Sequence, residues 1–467
     1  MGSQSEDGTP GPPMSAGKSE QLICPVLGTV GLVSNHQPST ERPAIQLEVK
    51  TILNRIQHFV GFVYRDVRLR EEWGHPRCVE ITVEAHRQIR PRCSECRQPA
   101  AGYDRLRRRR WLFVPLWGLR TYFLYAPRRV ACPEHGIVVE HLPWSQGKRP
   151  VTLAMMGFLA RWARRLSWRE TARVFQTSWE AVYRSVEWFV QWGLEHRPLS
   201  GVEAIGIDEI HWGKGKRADN FLTVIYQIDS HCRRLLWVGR RRTRTTLRRG
   251  LATLGPQVIS GLRFVCSDMW RAYLNVVAAK VPQALHVLDR FHITMHLNKA
   301  VDQVRRGETG RLRGHRTAEK LKRMRWSLLR RGNRVRGQAK QRLRGLLRAN
   351  LATGRAWMLK ETFTDFWRYR SLHWAAAFLM VWSERALRSR LEPMKKVARM
   401  LRAHQELILN WFRARGEISA AAVEGLNNKI RVVTRRSYGF RTYKAMEIAL
   451  YHTLAKLPEP ESTHRFC

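Results

Sequence analysis

Between residues 202 and 289 the apolar positions change period several times. VEAIGIDEI, FLTVIYQID and RRLLWVG are short runs rich in β-branched and aromatic residues, divided by polar connectors, and they predict three consecutive strands. TRTTLRRGLATLG has helical spacing, LRFVCSD reads as a strand, MWRAYLNVVAAKV as a helix and ALHVLD as a further strand. Strand, strand, strand, helix, strand, helix, strand predicts an α/β fold: a mixed sheet with flanking helices on both faces.

That order is the order of a ribonuclease H-like core. Upstream, TILNRIQHFVGFVYRDV reads as helical and CVEITVEAHRQI as a strand, while residues 151–193 are helical and rich in Trp. Downstream, residues 290–415 are almost wholly helical and very basic, and a last helix is expected to begin near Ser419. The expected partition is a tail (1–45), a zinc-binding domain (46–148), a helix-turn-helix (149–198), the first part of the core (199–298), a helical insertion domain (299–415), the closing helix (416–456) and a second tail (457–467).

Charge changes the picture. The 467 residues carry 83 Lys+Arg against 38 Asp+Glu, a formal net charge of +45. Such an excess repels itself without a polyanionic partner, and nucleic acid is the partner expected. A hydrophobic content of 44% excludes a disordered polycation. No run reaches the roughly 18 apolar residues of a membrane span, and the N-terminus has no secretory pattern. The eight cysteines have metal-ligand rather than disulfide spacing, so a reducing, cytoplasmic location is expected.

Cys93-Ser-Glu-Cys96 and Cys132-Pro-Glu-His135 are two ligand-x-x-ligand pairs. Together they offer the four ligands of a closed, structural Zn2+ tetrahedron. The intervening segment reads as two strands bridging the knuckles, with Arg107, Arg108, Arg109 and Arg110 as a phosphate-contacting finger. In LSWRETARVFQTSWEAVYRSVEWFVQWG, Ser167 and Glu170 form a capping box and Ser178 caps the next helix. Ala172, Phe175, Val182, Val186 and Phe189 would face inward. The N-terminal residues of the second helix would read DNA, with Trp179, Glu180, Tyr183 and Arg184 exposed.

Asp208 lies within an apolar strand, where an unpaired charge is costly. Period two puts Glu209 on the other face, as an ion-pair residue. Asp268 at the end of LRFVCSD competes with Asp229 and Asp289, and Glu424, in a helix that Ser419 could cap, is by composition an ordinary surface residue. Carboxylates gathered from two neighbouring strands and a closing helix suit hard cations and metal-assisted phosphodiester chemistry.

CSEC…CPEH, GIDEIHWGKG, CSDMWRAY, VLDRFHI and VEGLNNKIRVVTRRSYGFR resemble the bacterial insertion-sequence transposases of the Asp-Asp-Glu type, ISL3 family, over residues 46–456. The resemblance selects Asp208, Asp268 and Glu424 as the catalytic triad, holding two Mg2+ (or Mn2+) ions per active site. It pairs Asp289 with His292, a further catalytic candidate that touches DNA or the scissile phosphate or else has an orienting or purely structural role. It implies binding to the terminal inverted repeats of an element and to target DNA, strand cleavage by water, and strand transfer by the freed 3′-hydroxyl. A homodimer or larger synaptic assembly follows from handling two ends. Asn428, Arg431, Arg435 and Arg436, on the face of Glu424 or just beyond it, are assigned to the DNA backbone. Two alternatives stay open: an inactive DNA-binding regulator and a structure-specific nuclease.

Overall fold

The computed structural model describes residues 48–71, 77–212, 218–418 and 421–460. The expected tail of residues 1–45 and the capping residue Ser419 lie outside them.

The N-terminal region holds helix α1 (Val49–Ile56) and seven strands: β1 (Phe62–Arg70), β2 (Cys78–Ala85), β3 (Ala101–Arg105), β4 (Arg109–Leu116), β5 (Leu119–Tyr125), β6 (Arg128–Cys132) and β7 (Gly136–Val139). They form two sheets, β1-β2-β5-β4 and β3-β6-β7. Two expectations are corrected. TILNRIQHFVGFVYRDV is not one helix: α1 stops at Ile56, Gly61 turns the chain at φ 89°, and β1 follows. The segment between the Cys pairs is not a simple hairpin either. β3 and β6 stay in the small sheet, while β4 and β5 cross to the larger one, where Trp111, Phe123 and Trp144 are buried together. The apolar content of WLFVPLWGLRTYFLY is more than a knuckle can bury, so it leaves to build a core of its own.

Helices α2 (Leu153–Ala163), α3 (Trp168–Val174) and α4 (Trp179–Glu195) follow. Ser167 and Glu170 form a reciprocal capping box, and the Ser178 side chain accepts from the Ala181 N–H. Ala172, Val182, Val186 and Phe189 are buried, and Phe175 is half-buried against Phe158.

The central sheet contains β8 (Ala204–His211), β9 (Phe221–Ile228), β10 (Arg233–Arg240), β11 (Phe264–Ser267) and β12 (Leu285–Leu288), in the order β10-β9-β8-β11-β12. β8, β9 and β10 are antiparallel neighbours, whereas β11 runs parallel to β8 and to β12. Between them lie α5 (Arg244–Leu254), α6 (Pro256–Ser260) and α7 (Arg271–Lys280). One sheet face packs on α5 and α7 through Ile205, Ile207, Leu247 and Val277.

Helix α8 (Arg290–Arg311) leaves β12 and runs straight into an all-helical region: α9 (Arg316–Arg323), α10 (Arg325–Leu329), α11 (Gly337–Arg348), α12 (Ala352–Thr364), α13 (Leu372–Arg388), α14 (Glu392–Ala403) and α15 (Gln405–Arg413). This region has its own core around Phe363, Phe366 and Trp382. The closing segment is two helices rather than one, α16 (Ala421–Arg436) and α17 (Tyr443–Leu454). Tyr438 and Gly439, both at positive φ, turn the chain between them.

α16 and α17 cover the other sheet face, in one apolar cluster with α2 and α4. The fit is close because Gly206 has no side chain: a Cβ there would lie 2.5 Å from Val423 Cγ2. The expected tail is also shorter than drawn. Leu457 packs over Gly193, and Glu459 pairs with both Arg161 (2.9 Å) and Arg164 (2.8 Å). Gly206→Ala therefore overpacks the β8–α16 contact, and its unfolding midpoint in urea is expected to fall by the equivalent of about 1–3 kcal/mol, measured against the wild type.

Candidate active site

Strand alternation divides the acidic pair of β8. Ala204, Gly206 and Asp208 face α16, while Ile205, Ile207 and Glu209 face α5 and α7. Asp208 lies at the edge of the apolar layer, midway along the strand. Its Oδ2 accepts from Asn427 Nδ2 at 2.5 Å, and its Oδ1 accepts from the Glu209 N–H at 2.7 Å. Asn427 Oδ1 in turn accepts from the Tyr226 hydroxyl at 2.7 Å. A hydrogen-bonded line thus joins β9, α16 and β8. Burial raises the Asp208 pKa, and the Asp268 carboxylate adds repulsion, against the two hydrogen bonds and His292.

Asp268 follows the last residue of β11, next to β8 in the sheet. Its Oδ1 accepts from the Trp270 N–H at 3.0 Å, which fixes the carboxylate at the strand end. Glu209 pairs with Arg242, whose guanidinium lies over the Trp270 ring at 4.2 Å. Burial and then Asp268 push the Glu209 carboxyl up to about 8, against the pull of Arg242.

Asp289 follows β12 and caps α8, accepting from the Phe291 N–H at 2.8 Å. It is 7% exposed. Burial raises its pKa first, with Asp208 and Glu424 adding and His292 opposing; His292 Nε2 lies 3.9 Å away. Glu424 is exposed in the first turn of α16 and lines one cavity with Asp289. Asp208 is thus repelled by Asp268, and Asp289 by both Asp208 and Glu424, near the carboxyl ends of β11 and β12. Asp208, Asp268 and Glu424 are not within one ion's coordination shell: among the described residues, only another group has its ligand atoms within 4.8 Å of one another. All-carboxylate donors suit hard divalent cations. Two residues of this neighbourhood escaped sequence reasoning as site residues, Asn427 and Tyr226. The three-residue spacing of Asn427 from Glu424 was their signal.

The group that does close up is Cys93, Cys96, Cys132 and His135. Cys96 Sγ is 3.7 Å from Cys132 Sγ, Cys132 Sγ is 3.6 Å from His135 Nδ1, and Cys93 Sγ is 3.9 Å from His135 Nδ1. A tetrahedron with metal–sulfur bonds of roughly 2.3 Å has sulfur–sulfur edges of about 3.8 Å. Arg97, at φ 65°, turns the first knuckle, and the Glu95 N–H donates to Cys93 Sγ at 3.4 Å. The four residues fit one metal ion.

The basic residues divide. Arg108 donates to Thr82 (2.8 Å), Arg109 to the Lys148 carbonyl (3.2 Å), and Arg110 lies over the Tyr122 ring at 4.1 Å, beside Glu80. These three are held on the four-stranded sheet rather than on a zinc-knuckle finger; Arg107 is exposed. Trp179 is exposed and stacks on Tyr183, which is half-buried rather than exposed, and Arg184 pairs with Glu187 and Glu180. Asn428, Arg431 and Arg435 are exposed on α16. Arg436 is not: it is half-buried and donates to the Arg164 carbonyl, where it helps cap α2.

Among the described residues no helix is long and apolar enough to cross a membrane. The transposase for insertion sequence element IS1001 of Bordetella parapertussis is 29% identical over 352 residues, 75% of this chain and 85% of that protein. The transposase for insertion sequence element IS1557 of Mycobacterium tuberculosis is 25% identical over 429 residues, 84% and 92% of the two chains. Residues 205–450, which run from β8 into α17, match the ISL3 DDE family, described as transposase, and the chain belongs to that family.

Proposed function

We propose that the chain is a DNA transposase that binds the terminal inverted repeats of its element, cleaves there and transfers the freed end to target DNA. The observation that supports this reading is that Asp268 lies beside Asp208 on a neighbouring strand while Asp289 lies near both Asp208 and Glu424, in a protein of net charge +45. The strand order β10-β9-β8-β11-β12 supports a ribonuclease H-like core.

Asp208, Asp268 and Glu424 would hold two Mg2+ or Mn2+ ions, which neutralise charge on the scissile phosphate and lower the pKa of the attacking water. Asn427 orients Asp208, and the Trp270 N–H orients Asp268. The Asp289–His292 pair holds a proton-bearing ring beside the carboxylates. Water oxygen attacks phosphorus in line and the 3′-oxygen leaves. The resulting 3′-hydroxyl then attacks a target phosphodiester by the same displacement. α3 and α4 act as a helix-turn-helix, with Trp179 at the start of the reading helix and Arg184 beside it. Exposed Arg431, Arg435 and Asn428 contact the DNA backbone, and Arg107 contacts phosphate from the N-terminal region. Cys93, Cys96, Cys132 and His135 would hold a structural Zn2+, which would tie the Cys93–Cys96 knuckle to the end of β6. Two copies assemble to hold the two ends.

Asp208→Asn, Asp268→Asn and Glu424→Gln are each expected to lower Mg2+-dependent strand cleavage at least ~10³-fold while leaving gel-shift affinity for the element ends within about threefold. Cleavage at wild-type rates by Asp208→Asn would leave a regulator, and cleavage without joining to target DNA would leave a nuclease. Asn427→Leu keeps helix and volume but leaves Asp208 without its donor; a fall of about 10–100-fold in cleavage with unchanged affinity is expected in the same assay. Elemental analysis is expected to find one zinc per chain, lost in Cys132→Ala along with cooperative unfolding of the N-terminal region.

A further inference from the structure

Beside Glu424 lies a cavity of about 580 Å³, walled by Asp289, Arg290 and Phe291 from the start of α8 and by Arg330, Arg331 and Arg334 from the insertion. Trp367 closes its far side, and a second hollow of about 600 Å³ opens beyond, sharing Arg290, Arg331 and Trp367. Arg330, Arg331 and Arg334 are exposed, and among the described residues none forms an ion pair. Their loop is nonetheless held firmly. Lys360, 3% exposed, donates to the Leu328 carbonyl (2.7 Å) and the Arg330 carbonyl (2.8 Å). Glu361 pairs with that ammonium (3.0 Å) and accepts from the Gly332 N–H at 2.8 Å. Buried polar groups are thus used to hold three unneutralised guanidinium groups at a cavity wall.

Phe291, two residues after the cap Asp289, lines the same cavity and is 51% exposed. A basic wall sharing a cavity with an exposed ring suits a phosphate joined to a planar base. A duplex is about 20 Å wide and cannot enter a space of this volume, whereas one unstacked nucleotide can. We infer that this cavity receives an unpaired nucleotide of the DNA strand next to the phosphodiester that is cut, its base stacked on Phe291 and its phosphate held by Arg331 and Arg334. This rests on the reading that Asp208, Asp268 and Glu424 form the active site. Asp289 and Glu424 line the same cavity, which places the proposed nucleotide beside the acidic residues of the active site.

The full chain, without added divalent ion, is titrated with a short duplex ending in an unpaired 2-aminopurine nucleotide and with the same duplex fully paired. Wild type is expected to bind the unpaired end about tenfold more tightly and to quench its fluorescence. Phe291→Ala, and separately the Arg331→Ala/Arg334→Ala pair, should lose that preference; both alter exposed positions, and thermal melting checks their folding. For Phe291→Ala, affinity for the paired duplex should stay within about twofold. Equal binding of the two DNAs by wild type, or a preference that survives in Phe291→Ala, overturns the inference. So does displacement of the unpaired end by free deoxyadenosine monophosphate at an equal nucleotide concentration, which would mark a free-nucleotide site. The active-site reading fails separately: Asp208→Asn would then cut like wild type while the preference persisted.

Discussion

The contact between β8 and α16 is the constraint on which the rest depends. Asp208 follows the apolar half of β8, and Glu424 lies in the first turn of a helix more than two hundred residues later in the chain. The strand and the helix meet because Gly206 lets Val423 approach the sheet and because Asn427 reaches across to Asp208. A buried carboxylate must be satisfied or protonated. Here one amide and one backbone N–H satisfy it. The same contact fixes where the insertion can go, since α8 must leave the sheet at β12 and the chain must return at α16.

The acidic cluster lies in a strongly cationic protein. Arg242, held over Trp270, neutralises Glu209 on the far face of β8, and no comparable cation pairs with Asp208 among the described residues. Both acids are repelled by Asp268, but their partners differ: Glu209 is paired with a fixed arginine, whereas Asp208 is left to hydrogen bonds. Such unrelieved repulsion is what a divalent cation would offset.

Much of this was legible in the sequence. Period two separated Asp208 from Glu209, the capping box at Ser167 and Glu170 marked the start of α3, and the ligand pairs at Cys93 and Cys132 announced their cluster. What escaped was long-range. Nothing local says that Arg436 will be spent on the Arg164 carbonyl, that Arg110 will lie on Tyr122, or that Glu459 will hold two arginines of α2 and its end. In a chain with this many arginines, composition cannot separate those that fasten the fold from those left for DNA. The mistaken helix at residues 51–67 has another cause. Its apolar residues suit both periods, and Gly61 at φ 89° decides the break. The turn at Tyr438 and Gly439 divided the closing segment for the same kind of reason.

Helix α8 spans 22 residues without interruption, from the cap at Asp289 to Arg311. At roughly 1.5 Å per residue it is a rod of about 33 Å. Its first turn touches the acidic cluster through Asp289 and His292, and its later turns are buried in the insertion core through Val301 and Val304. A stiff shaft fixed at both ends ties the insertion mechanically to the sheet: a tilt of the helical region is passed along the rod to the imidazole and the capping carboxylate at its other end.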